Sequence, residues 1–386
     1  MGKLSKKIYL IQLIKAYPTQ LIFIMILVVA VILFVRSSVV PVMSDFEINL
    51  WRPTHLLLNG LSPYRTELFF DGLRPIWFPQ IIGLFLPLGA LPVQIASNIW
   101  FLISLVALAA QLIIFARKAG VSPVFFAASA IVIALFPSTV TYFRLGQISL
   151  LVCTFFTFLA FYHDKMKPGL LGFLLAVSLV KPQLTVIFLP VFTVILWRKN
   201  GAFVVLKTIL WTILWFFLLI TPLFIFYADW SSAFFRNLIE NPSWAYPTLY
   251  TLTREVFTQK SLPIIITGLY LLFGIGLMLA KAKKMSEKEA MLWSLALTPV
   301  FSPVVWSWDF VFMYPLTVYL AYDHKFRVSK NIISIGFVIC LVLYITMVQR
   351  GYYYDEYSMW VPIVLCLILL LSYRCRKNPA IGKATA

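Results

Sequence analysis

The sequence predicts an all-α protein that crosses a membrane many times, and three observations carry that prediction. Hydrophobic residues make up 61% of the chain and charged residues only 12%, a balance no ordinary soluble domain shows. Apolar runs recur from end to end, and a run of about 20 apolar residues crosses the hydrocarbon core as a helix because every backbone polar group is then satisfied internally. The net charge of +18 is concentrated in short loops and at the termini, which is the positive-inside pattern of a membrane protein and excludes nucleic acid as the partner.

In chain order, Lys3, Lys6, Lys7 and Lys15 precede a first apolar run at 21–35 that lacks a small-residue cleavage site, so it reads as a retained span. The apolar stretch at 79–92 is short and broken by Pro79, Pro87 and Pro92. If it crossed, Arg117 and Lys118 would fall outside, so it reads as a re-entrant or juxtamembrane element and the second span as 93–116. Further spans are expected at 123–140, 147–162, 168–180, 182–197, 203–226, 263–280, 290–305, 310–322, 332–348 and 359–371. Basic clusters at 117–118, 163–167, 198–199, 281–284, 324–327 and 374–377 then all lie inside. The reading is one domain, 1–386, of about 12 spans with both termini cytoplasmic. Outer loops are expected at 37–75 and 227–262. Cys153, Cys340 and Cys366 lie in apolar runs and Cys375 in the basic tail, so neither a disulfide framework nor a metal-ligand spacing is expected. No cofactor is implied.

The first outer loop opens with the densest polar stretch. Ser44 and Glu47 have capping-box spacing, which predicts a helix beginning at Ser44. Asp45 then lies in the first turn, where the helix dipole favours an ionised carboxylate. Asp45, Asn49 and Arg52 share a face at i, i+4 and i+7, while Glu47 points about 200° away from Asp45. Pro53 is expected to interrupt the helix and Asn59-Gly60 to end it. The segment reads as an amphipathic helix at the membrane surface after the first span. Asp45 is either a carboxylate available for chemistry or simply part of a well-begun helix.

Other polar groups collect on the same predicted face. Lys181 interrupts an apolar stretch from 170 to 197, where a lone lysine costs about 2.5–3.5 kcal/mol. It must pair with a carboxylate, bind an anionic ligand or reach the interface. Arg144 has the same readings, with a planar fork suited to phosphate. The tyrosines at 352–354 read as an interfacial belt, while His163 and His324 read as solvated. His55 lies on the Asp45 side with no partner evident from sequence.

Four stretches resemble glycosyltransferase family 87, a family of GT-C type similar to polyprenol-phosphate-mannose-dependent mannosyltransferases. They are Asp45-Phe46 with Gly60-Leu61-Ser62-Pro63-Tyr64, Trp77-Phe78-Pro79 with the stretch to Pro92, the turns Gly146-Gln147 and Lys181-Pro182, and Ser302-Pro303 with Trp306. Together they cover roughly 40–310. The family's Trp is usually followed by a His, and here Trp308 stands in that place with Asp309 beside it. Asp309 or His55 substitutes, the substrate differs, or the enzyme is impaired.

The resemblance implies a GT-C-type helical bundle that transfers a mannose or other hexose or pentose. The donor would be a polyprenyl-phosphate sugar, and the acceptor a lipid or a glycan. Asp45 would be the catalytic base and Lys181 and Arg144 the donor-phosphate ligands, with inversion at the sugar. Tyr64, Gln147, Trp306, Trp308, Asp309 and His55 are the further substrate-binding candidates, and no metal is called for. The protein would sit in the cytoplasmic membrane among its lipids, with the site facing the periplasm or cell exterior. A flippase or transporter of lipid-linked sugars, a scaffold, or an inactive relative would share the basic and aromatic groups but lack the base.

Overall fold

Proline and glycine decide where the helices of this apolar chain stop, and the computed structural model shows where each break falls. It describes residues 42–65, 74–119, 123–240, 245–259, 261–322, 327–352 and 354–377. The expected first span, His324, Tyr353 and the extreme termini lie outside them. All regular structure among the described residues is helical.

The chain enters at α1 (Ser44–Phe46), continues through a π-helical turn (Glu47–Trp51) and leaves by α2 (Arg52–Leu58). The helix starts at the expected residue, but the capping box does not form. Met43 occupies the N-cap with no side-chain cap, and Glu47 instead pairs with Arg52. Pro53 has no N–H to give, and the π turn directly before it absorbs the mismatch without breaking the helix. Asn59 and a left-handed Gly60 end α2 as expected. Phe46, Leu50 and Leu57 are buried, so this helix is packed into the protein along one side.

Next come α3 (Gln80–Gly89), α4 (Val93–Ala119), α5 (Pro123–Leu135), α6 (Pro137–Leu145), α7 (Ser149–Tyr162) and α8 (Pro168–Ser178). At 1.5 Å per residue α3 is about 15 Å long, too short to cross a bilayer unaided. It packs on the later helix Ala202–Phe226 through Gly83, where any side chain would strike the Leu219 carbonyl at 1.8 Å. The expected span at 123–140 is two helices meeting at 62°, because Pro137 starts a new helix after Phe136.

The second half runs through α9 (Phe188–Asn200), α10 (Ala202–Phe226), α11 (Trp230–Ile239), α12 (Leu249–Val256) and α13 (Ser261–Ala282). It ends with α14 (Glu287–Phe301), α15 (Tyr314–Ala321), α16 (Arg327–Gln349) and α17 (Trp360–Lys377). Helix α14 is the hub: it starts with a true capping box at Ser286 and Glu289 and is buried from Ala290 to Pro299. Around it, Phe156 and Phe188 stack at 4.2 Å. The Tyr314 hydroxyl lies 2.7 Å from that of Thr139, tying α15 to α6.

Five helices among the described residues are long and apolar enough to cross a membrane, and the bent α5–α6 pair makes six. Among the described residues, the other apolar stretches expected as spans form shorter helices, several entered through 3₁₀ turns such as Pro182–Leu184 and Ser307–Met313. The chain is thus an integral membrane protein by its apolar helices. His163 differs from expectation, being buried beside Asp164 and Glu287 and not solvated.

Candidate active site

The site forms where α1 meets the turn after α6. Gly146 ends α6 in the left-handed conformation, with φ of 75°. A Cβ there would sit 2.7 Å from Cβ of Phe46 and 2.9 Å from Cβ of Met43. Only glycine lets the turn press this close to α1. The Gly146 carbonyl is held by Trp100 Nε1 at 2.9 Å. The next side chain, Gln147, thereby reaches Asp45.

From that contact a single hydrogen-bonded chain runs inward. Gln147 Nε2 donates to Asp45 Oδ2, and its Oε1 accepts from Lys181 Nζ at 2.6 Å. Lys181 also donates to Ser149 Oγ at 3.2 Å and to Asp309 Oδ1 at 3.3 Å. Its ammonium lies 4.9 Å from the centre of the Trp77 ring. Ser149 Oγ donates to the same Asp309 oxygen, while Asp309 Oδ2 accepts the Trp306 N–H at 3.1 Å. Asp309 is fully buried. Of the sequence alternatives for Lys181, a carboxylate partner is therefore present.

The turn that Asp309 holds carries stacked indoles. The rings of Trp306 and Trp308 lie 4.8 Å apart and 12° from parallel, with the Tyr246 ring edge-on to Trp306 at 4.9 Å. Asp355 Oδ2 accepts the Ser307 N–H at 3.0 Å and pins the same turn from the other side.

Most of these groups line a cavity of about 1540 Å³ whose lining is part polar and part apolar. The polar part holds Asp45, Asn49, Gln147, Lys181, Trp306 and Trp308, with Asp309 just behind it. The lining also includes apolar side chains, Leu135 and Val140 of the bent pair and Leu341, Ile345 and Val348 of α16. Arg144 lines the cavity as an exposed cation. Two buried polar atoms on the cavity residues lack a partner, Asn49 Oδ1, an acceptor, and Trp308 Nε1, a donor. Such atoms are costly unless a ligand or water satisfies them.

Burial pushes the Asp45 carboxyl up from 3.8 to about 6; Lys181 and the Gln147 hydrogen bond pull it down, and Asp309 adds to the rise. At neutral pH Asp45 is therefore ionised yet basic for a carboxylate, the state a general base needs.

Two sequence candidates fall elsewhere. His55 stacks on Trp51 at 4.4 Å and its Nδ1 bonds the Gly89 carbonyl at 2.9 Å, so it serves the α2–α3 junction. Tyr64 is buried against Phe234, with its carbonyl accepting from Asn237 Nδ2 at 3.2 Å. Sequence reasoning missed Ser149, Tyr246 and Asp355. Asp355 was concealed within a tyrosine-rich loop that reads as an interfacial belt.

A cluster able to hold a metal ion also exists. Ligand atoms of His163, Asp164 and Glu287 lie within 4.8 Å of one another. The Lys199 ammonium already sits 2.7 Å from Asp164 and 2.9 Å from Glu287, supplying the positive charge there.

Residues 79–307 match glycosyltransferase family 87, more than half of the chain. The chain belongs to that family. No curated protein compared with it matches. As a family 87 glycosyltransferase it works on a sugar donor and an acceptor. The matched segment contains Gln147, Lys181 and Trp306, whereas Asp45, Asp309 and Asp355 lie outside it. The hydrogen-bonded chain joins Asp45 and Asp309 to it from either side.

Proposed function

We propose that this family 87 glycosyltransferase moves a sugar, mannose or another hexose or pentose, from a polyprenyl-phosphate donor to a lipid or glycan hydroxyl. The observation that carries the proposal is the placement of a basic carboxylate, Asp45, in a cavity lined by both polar and apolar side chains. A lipid-linked sugar needs both: its prenyl chain lies along Leu341, Ile345 and Val348, and its sugar reaches the polar side chains. Arg144, an exposed cation on that cavity, binds the donor phosphate, with Lys181 adding positive charge from below. The free Asn49 Oδ1 and Trp308 Nε1 suit sugar hydroxyls.

Asp45 removes the proton from the acceptor hydroxyl as its oxygen forms the new bond to the anomeric carbon. The bond to the polyprenyl-phosphate oxygen breaks on the opposite face, and the phosphate leaves with the electron pair. A single displacement inverts the anomeric configuration. The cations stabilise the charge the phosphate gains. The site faces the outer side of the cytoplasmic membrane, with both termini in the cytoplasm.

Transfer of [³H]mannose from synthetic polyprenyl-phosphate mannose to extracted membrane lipids tests the reading. Asp45→Asn should fold and lose at least ~10²-fold in rate, while Glu47→Gln, whose partner is Arg52, should stay active. An active Asp45→Asn with a dead Glu47→Gln would assign the wrong carboxylate.

A further inference from the structure

We propose that Asp309 is a positioning residue: it takes up the charge of Lys181 and holds that ammonium away from Asp45, leaving Asp45 free to accept the proton of the attacking hydroxyl. The inference rests on the reading of Asp45 as the base.

Asp309 is not itself placed to act on substrate. It is fully buried, Oδ1 is taken by Ser149 and Lys181, and Oδ2 by the Trp306 N–H. It also lies behind the cavity wall, not on it. His55, the other candidate, is spent on the Gly89 carbonyl. What Asp309 does touch is Lys181, a cation that acts on Asp45.

Lys181 is buried and donates in three directions, to Gln147, Ser149 and Asp309. Its shortest bond, 2.6 Å, goes to Gln147, while Ser149 and Asp309, themselves hydrogen-bonded to each other, lie at 3.2 and 3.3 Å, and Asp309 is the carboxylate in direct contact with the ammonium. Only the neutral Gln147 amide stands between it and Asp45. An ammonium in direct contact with Asp45 would stabilise its anion and make it a poor base. With Asp309 as its counter-ion, Lys181 can orient Gln147, and so Asp45, without drawing off that basicity.

The other charges near Asp45 do not substitute. Arg144 on α6 is exposed in the cavity, and Glu47 on the same helix is engaged by Arg52. Helix α3 and residues 93–116 of α4, which pack against the adjoining π turn, contain no charged residue.

The test reads Asp45 directly and needs no substrate. In purified protein, infrared difference spectra titrated from about pH 4 to 9 contain a protonated-carboxyl band that Asp45→Asn removes; that band is Asp45. Its wild-type midpoint is expected near 6. Asp309→Asn should lower the midpoint by about 1 pH unit, because Lys181 then acts on Asp45 unopposed. Lys181→Met should raise it by a similar amount, and Asp309→Glu, which keeps the charge, should leave it near wild type. The two opposite shifts are read independently, so either variant carries the test if the other does not fold.

A wild-type midpoint in a folded Asp309→Asn or Lys181→Met overturns the proposal, and if Asp45→Asn is then inactive in [³H]mannose transfer, Asp45 remains the base. Near wild-type transfer by Asp45→Asn overturns the base reading itself, and with it the catalytic meaning of the coupling.

Discussion

Two lysines in this molecule each lie between carboxylates, at opposite ends of α7. Lys181 joins Asp309 and, through Gln147, Asp45 near Ser149. Lys199 joins Asp164 and Glu287 near His163. The fourteen residues between these ends span about 21 Å. The charge patterns are alike and the burial is not. Side chains of Lys181 and Asp309 are 4% and 0% exposed, whereas Lys199, Asp164 and Glu287 are 37%, 46% and 43% exposed. Water screens the second set, so it contributes little beyond tying loops together. The first set is held where each charge strongly alters its neighbours. The difference teaches that burial, more than charge pattern, sets the two clusters apart.

The largest expected contrast is in activity. Asp45→Asn should lose sugar transfer by at least ~10²-fold, while Asp164→Asn should stay within about 2-fold of wild type in the same assay. An inactive but folded Asp164→Asn would end the comparison.

Stability should divide the same way. Lys181→Met leaves Asp309 buried without its cation and should cost about 3–5 kcal/mol in thermal unfolding, against less than about 1 kcal/mol for Lys199→Met. Equal losses would show that the exposed cluster is as coupled as the buried one.

A smaller contrast lies in pH. Asp45 titrates near 6 in the folded protein, so transfer should fall with single-proton steepness as pH drops through that value. Because the folded state holds that proton more tightly than an unfolded carboxyl near 3.8, Asp45 lowers stability as pH rises between the two values, and Asp45→Asn should be no less stable than wild type at pH 7. Asp164 behaves oppositely. Slight burial pushes its carboxyl up, but the hydrogen bond from Lys199 and the charges of His163 and Lys199 outweigh that and hold it below its ordinary value. Its contribution to stability is present above 3.8 and is lost only as pH falls further. Between pH 5 and 7 the Asp164 cluster should therefore hold while the Asp45 carboxyl changes state, as unfolding curves across that range would show.

The smallest effect concerns salt. Raising ionic strength to about 0.5 M should weaken the contribution of Lys199, read as a shrinking stability difference between Lys199→Met and wild type, and leave the Lys181 difference unchanged.

Much of this arrangement was legible in the sequence because composition and charge alternation act locally. The second span, the start of the Asp45 helix and its stop at Asn59-Gly60 needed only neighbouring residues. Gly146-Gln147 and Lys181-Pro182 were visible as polar turns between apolar helices. What joined them was not visible, since Lys181 meets Asp309 across 128 positions and Gln147 meets Asp45 across 102. His163 was misread because its surroundings look solvated in sequence, and only packing against Phe192 and the start of α14 buries it. The Ser44–Glu47 box failed because a stronger ionic partner, Arg52, was available to Glu47 in space.

The π turn at Glu47–Trp51 bears on how this loop tolerates change in length. A π turn holds one residue more than an α turn in the same run of helix. Deleting any one residue between 47 and 51 would let the segment close as ordinary α-helix, with α2 still seated against α3. The α turn then fills the same run of helix with one residue fewer, so everything upstream would keep nearly its present place. Deleting a residue from α2 instead, where there is no such slack, would turn everything upstream by about 100° and draw it in by about 1.5 Å, taking Asp45 off the cavity wall while nearly every residue of the chain stayed the same. In a lineage carrying that second kind of deletion, sequence comparison would still count the aspartate as present although it no longer faced the cavity.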